Sequence, residues 1–126
     1  MPGFEIIDKK EQKALNKIFN EGSIFFAHGF DNLRKKYHVR EFEKEICKKL
    51  KVKEAVAVSS GTAAIKTALK ALGVNRGDEV ITQSFNFIAT IEAILDTGAK
   101  PVICNIDETL NMDVLQIEKL INSKTK

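Results

Sequence analysis

The chain has 126 residues, which on the usual domain size is one domain, and 44% of them are hydrophobic and 29% charged, ordinary values for a soluble globular protein. The net charge of +3, from 20 basic and 17 acidic side chains, is too small to argue for a nucleic-acid or membrane-surface partner. No apolar run approaches the ~18 residues that span a bilayer, and Met1-Pro2-Gly3-Phe4-Glu5 has neither a basic nor a long apolar region, so a cytoplasmic protein without a signal peptide is expected. Cys47 and Cys104 are far apart with no CxxC, which points to free thiols in a reducing compartment and no metal site.

The first helical pattern lies within residues 5–20, where Ala14, Leu15, Ile18 and Phe19 share one face. Glu21-Gly22-Ser23 ends it, with Gly22 as the expected C′ residue. Residues 23–34 read as a loop with extended character: Ile24-Phe25-Phe26 and Phe30 are apolar, and His28-Gly29 interrupts them. A second helix is expected over 39–50, with Val39, Phe42, Ile46 and Leu50 on its dry face and Glu45–Lys49 as an attractive i,i+4 pair. Arg34-Lys35-Lys36 and the later lysines are interspersed with acids, as on a solvated face.

From residue 55 the chain alternates strand and helix. Residues 55–58 are small or β-branched, as in a strand covered on both faces. Ser59-Ser60-Gly61-Thr62 follows, then an apolar helix over 62–72 with Gly73 as its cap. A second strand is expected over 79–82, a second helix over 86–96 ended by Gly98, and a third strand over 101–106. Asn111 or Thr109 is the expected cap of a third helix containing Val114, Leu115, Ile117, Leu120 and Ile121. Such alternation argues for a parallel sheet with crossover helices.

Ligands in such sheets gather at the carboxyl ends of the strands. The first end, Ser59 to Ala63, aims backbone N–H groups and the positive end of a helix dipole at one point, which makes either an anion cradle or a plain turn whose serines cap the helix. The second end carries Phe85 and Phe87 on either side of Asn86. One phenylalanine of such a loop is expected in the core, leaving the other to face a ligand. A phosphate site beside an aromatic plate suits a flat, phosphorylated ring. There is no GxxxxGK[ST], no GxGxxG after a strand and no GxSxG, which sets aside the standard nucleotide, dinucleotide and nucleophile-elbow sites. His28 and His38 read as surface or packing residues, and Asp107 and Asp113 as turn and capping residues.

Val58-Ser59-Ser60-Gly61-Thr62-Ala63-Ala64-Ile65, Gly77-Asp78-Glu79-Val80-Ile81-Thr82, Ser84-Phe85-Asn86-Phe87-Ile88-Ala89-Thr90, Gly98-Ala99-Lys100-Pro101-Val102 and Leu110-Asn111-Met112-Asp113 together resemble the DegT/StrS-type sugar aminotransferases. The resemblance implies an α/β protein: the N-terminal part of the large domain of a fold-type I pyridoxal-phosphate enzyme. N-terminal helices would precede three βα units of a mainly parallel sheet, with residues 1–38 as helix and loop and 39–126 as the first part of the cofactor-binding domain. It also implies pyridoxal 5′-phosphate as cofactor, an amino-acid donor such as glutamate, a nucleotide-linked keto-sugar as acceptor, and a homodimer. By the match, Gly61, Thr62 and Ala63 would hold the cofactor phosphate and Phe87 would lie against the pyridine ring.

This sequence has Gln83 where the family often has Pro, and Asn86 where it often has Thr. The Schiff-base lysine and the aspartate that pairs with the ring nitrogen would lie beyond Lys126, so no residue here is expected to be catalytic and the chain is expected to be an inactive N-terminal fragment. Isolated residues 55–58 would then lack strand neighbours, and the polypeptide alone is expected to be unstable. Two other readings stand beside the aminotransferase: a lysine-lacking sugar dehydratase or deoxygenase of the same family, and a non-catalytic phosphate-ligand or interaction module.

Overall fold

The computed structural model describes residues 6–21, 29, 31–33 and 36–126, which leaves Gly22, His28 and the phenylalanines of the 23–34 loop outside the described residues. The chain divides into two compact units, residues 1–57 and 58–126.

The first unit holds helices α1 (Lys9–Asn20) and α2 (His38–Leu50). α1 begins at Lys9 because Asp8 forms a capping box: its carboxylate accepts from Lys10 N at 2.6 Å, and its own N–H donates to Glu11 Oε2 at 2.7 Å. α2 ends where Lys51 turns left-handed (φ 56°), and Val52 N–H then donates to Cys47 O at 3.1 Å. Glu45 pairs with Lys48, three residues on, at 2.6 Å rather than with the expected Lys49. Both spacings meet on a helix surface. On α2, Glu43 Oε1 accepts from Ala57 N–H at 2.8 Å.

The second unit contains α3 (Gly61–Ala71), β1 (Glu79–Gln83), α4 (Ala89–Asp96), β2 (Lys100–Cys104) and α5 (Val114–Leu120). β1 and β2 are parallel, in register from Glu79↔Lys100 to Gln83↔Cys104, and α4 is the crossover between them. Their core is Val74, Ile94 and Ala99, with Leu69 of α3 and Val80 of β1 packed on it. Lys66 forms an ion pair with Asp96, and Lys70 Nζ donates to Thr97 O at 3.2 Å, so the two exposed lysines of α3 tie it to the end of α4.

The expected strand over 55–58 does not form. A strand needs a ladder partner, none is present among the described residues, and Val56 stays 73% exposed. The sheet instead grows on the other side of β1. Lys100 N–H and Ser84 N–H bond to Asp78 O and Cys104 O, so the even-numbered residues of β1 face β2. Glu79 faces away, donating to Lys124 O at 2.8 Å and accepting from Lys126 N–H at 3.0 Å, and Thr125 forms a parallel bridge to it. β1 is therefore central at its first residue. The same glutamate's carboxylate accepts from Asn122 Nδ2 at 2.9 Å and Lys100 Nζ at 3.2 Å.

The third helix is capped by Asp113, whose carboxylate accepts from Leu115 N–H at 2.9 Å, and not by Asn111 or Thr109. Those two are consumed by the turn before it. Asp107 Oδ1 accepts from Thr109 N–H and Oγ1–H at 2.8 and 2.6 Å, and Asn111 Nδ2 donates to Thr109 Oγ1 at 2.9 Å.

Candidate functional site

The site lies on the second unit. Its first part is the amino end of α3. The first N–H groups of any helix have no intrahelical acceptor, and here they are shared out unequally. Ala64 N–H bonds to Ser60 O at 3.0 Å, and Ser60 Oγ accepts from Ala63 N–H at 3.1 Å, so Ser60 is the N-cap. Gly61 and Thr62 N–H groups have no protein acceptor among the described residues, and both residues are exposed. Two free backbone donors, the hydroxyl of Thr62 and the positive end of an 11-residue helix therefore share one exposed end. No acidic side chain lies in the first turn of α3 to oppose an anion.

A Cβ built on Gly61 meets nothing within 4 Å, and its φ is not in the left-handed region, unlike those of Gly73, Gly77 and Gly98. The chain itself makes no demand for glycine at 61. The residue is exposed and the space beside its Cα is open, so a phosphate oxygen could come close to the backbone there.

The second part is the loop from β1 into α4. Asn86 turns its amide back onto the strand end, donating to Thr82 Oγ1 at 3.0 Å and Gln83 O at 2.7 Å. Gln83 Nε2 donates to Phe85 O at 2.6 Å. Phe85 and Phe87 are 60% and 78% exposed, so neither ring is core, contrary to the expectation that one would be. The polar residue between them bonds back to the strand end, and its two neighbours are left pointing outward. Thr82, a buried polar residue, is satisfied by this contact.

The third strand end adds a shaped but self-contained turn. The Thr109 hydroxyl, then its backbone N–H, and the backbone at Asn111 hold the Asp107 carboxyl below the usual carboxylate range. All of those donors come from the turn itself, which bears out the structural reading of Asp107. Among the described residues no group of three or more His, Cys, Asp or Glu could hold a metal ion, and no helix is long and apolar enough to cross a membrane. Cys104 is buried, with Sγ 3.6 Å from Asp113 O.

Residues 6–126, which carry both parts of this site, match the DegT/DnrJ/EryC1/StrS aminotransferase family. The chain belongs to that family. It is 39% identical over 121 residues to the GDP-perosamine synthase of Vibrio cholerae, covering 95% of this chain and 31% of that protein. It is 48% identical over 89 residues to the spore coat polysaccharide biosynthesis protein SpsC of Bacillus subtilis, covering 70% of this chain and 23% of that protein. Among solved structures, NtdA of Bacillus subtilis with bound cofactor PMP superposes with a TM-score of 0.79 at 33% identity, over 95% of this chain and 26% of NtdA. The chain thus spans about a third or less of the length of the relatives it matches.

The serine cap expected at this turn is Ser60, which takes the Ala63 N–H. The amides of Gln83 and Asn86, which brace the phenylalanine loop, were not read from the sequence, because that bracing depends on loop geometry that composition does not encode.

Proposed function

We propose that this chain supplies part of the cofactor pocket of a pyridoxal-phosphate-dependent aminotransferase that moves an amino group, from glutamate, onto a nucleotide-linked keto-sugar. Membership of the family, the GDP-perosamine synthase and SpsC relatives, and the PMP-bound neighbour support that reading and a role in polysaccharide or natural-product synthesis. The observation that carries it is the donor set at α3: free Gly61 and Thr62 N–H groups, the Thr62 hydroxyl and an open approach at Gly61.

These residues fit the phosphate of the cofactor. Gly61 and Thr62 donate to its oxygens, and the helix dipole favours its charge. Ala63 joins them when the Ser60 hydroxyl turns away from its N–H. Phe87, exposed on the loop after β1, would lie against the face of the pyridine ring and keep water off it. The cofactor, when bound, supplies the electron sink for the transfer. This chain's residues bind and orient it, and a lysine outside residues 1–126 would hold it covalently. Lys66 and Lys70 are committed to Asp96 and Thr97.

The test is cofactor retention. Replacing Thr62 by Val and Phe87 by Ala, singly, in a full-length protein that carries these residues and the Schiff-base lysine should each lower the amount of yellow cofactor that survives gel filtration, and the unsubstituted full-length protein should aminate a GDP- or UDP-linked keto-sugar with glutamate as donor. Unchanged occupancy in both variants would overturn the site assignment. Bound cofactor without a Schiff-base absorbance band would point instead to the lysine-lacking relatives.

A further inference from the structure

Gln83 and Asn86 are the two residues whose side-chain amides brace the loop after β1. We propose that Asn86 is a positioning residue that sets the pose of the Phe87 ring, with Gln83 as its partner; this rests on the reading of Phe87 as the cofactor plate. The geometry is specific. Both N–H groups of one amide are used, one on the Thr82 hydroxyl and one on the Gln83 carbonyl, which clamps the end of β1 to the loop four residues on. Gln83 reaches forward to Phe85 O and closes the same loop from the other side. Helix α4 starts at Ala89, a buried residue, so Phe87 lies between two fixed points, the Asn86 clamp and the buried start of α4.

A ring that is 78% exposed has little packing to hold it. Its backbone must therefore be fixed by polar contacts, and the loop offers no others at residues 84–87 apart from Ser84 N–H on Cys104 O and Thr90 N–H on Phe87 O. A proline at 83 would restrict the strand end through its ring. Here hydrogen bonds do that work, so the loop depends on the donor groups of residue 86 and not merely on its size.

Two variants separate these. Asn86→Asp keeps the shape but loses both N–H donors and sets a carboxylate against Gln83 O. Asn86→Thr keeps one donor. The probe is a single 4-fluorophenylalanine placed at position 87 of the otherwise intact protein and observed by fluorine NMR, with pyridoxamine phosphate as titrant. The wild-type resonance should sit away from the shift of the free amino acid and move on titration. Asn86→Asp should collapse it toward the free shift before any ligand is added, and should raise half-saturation about threefold to tenfold, as expected for the loss of one net hydrogen bond. Asn86→Thr should restore most of both. An Asn86→Asp resonance that overlays wild type in the ligand-free protein overturns the brace. A wild-type resonance that ignores pyridoxamine phosphate overturns the reading of Phe87 as a plate, while the ligand-free comparison still decides the role of Asn86.

Discussion

Replacing Gly61 by Ala separates what the fold needs from what the ligand needs. Gly61 is the first residue of α3, its φ is not left-handed, and an added Cβ meets nothing within 4 Å. In such a place Gly→Ala stabilises by about 0.4–1 kcal/mol, chiefly by restricting the unfolded chain. The same methyl would be added at the residue that carries one of the two free donors, where it would crowd a phosphate oxygen approaching the helix end. Losing one charge-assisted bond to a phosphate oxygen costs about 1.5–3 kcal/mol, or roughly 10- to 150-fold in affinity. Thermal unfolding with and without pyridoxamine phosphate reads both terms, because a ligand that binds only the native state raises stability by RT ln(1 + [L]/Kd). The variant should melt at or above the wild-type temperature without ligand and lose most of the ligand-induced rise. A ligand-free variant less stable than wild type would show that the fold requires glycine there. An undiminished ligand-induced rise would show that the phosphate does not approach this end of α3. Gly98 is the contrasting control: its φ is +87° and a Cβ would lie 3.3 Å from Arg76 Cβ, so Gly98→Ala should destabilise the protein with or without ligand.

Ser60→Ala removes the cap of α3 and should cost about 0.5–2 kcal/mol in urea unfolding, yet leave phosphate affinity equal or tighter because Ala63 N–H is freed; a weakened affinity would count against Ser60 as a competitor for that donor. The Glu79 carboxyl is held below its usual range, first by the Asn122 amide and then by Lys100. Its contribution is therefore present above the ordinary glutamate range and lost as pH falls through the lowered value, so Glu79→Gln should flatten the acid limb of a stability–pH profile below about pH 4.5 while leaving the neutral limb's slope alone. An acid limb as steep as wild type would refute this. Ile94 is 1% exposed at the centre of the small core, and Ile94→Ala should cost about 2–5 kcal/mol by chemical denaturation. A cost below ~1 kcal/mol would mean that the core is not where the structure puts it.

Much of the second unit was legible in its residues. Hydrophobic periods and turn residues marked α3, β1, α4, β2 and α5 in order, because these are local properties of the chain. The free backbone donors at the start of α3 were legible too, since the amino end of any helix leaves N–H groups without intrahelical acceptors. Assignments that needed a second segment fared differently. Asn111 and Thr109 were expected to cap α5, and each is a plausible cap alone. The Asp107 turn uses their side chains and leaves the cap to Asp113.

By itself the sequence determined the βα alternation and the family, because short-range spacing and backbone preference carry that information. Only the tertiary structure decided which donors at α3 are free and that both phenylalanines of the β1–α4 loop face outward. It also decided that β1, paired with β2 along its length, bridges Thr125 on its other side, while residues 55–58 remain without a ladder. Each of these depends on which group reaches a given hydrogen-bond donor or strand edge first. That competition is between residues distant in sequence or turned by a loop, and no local pattern records its outcome.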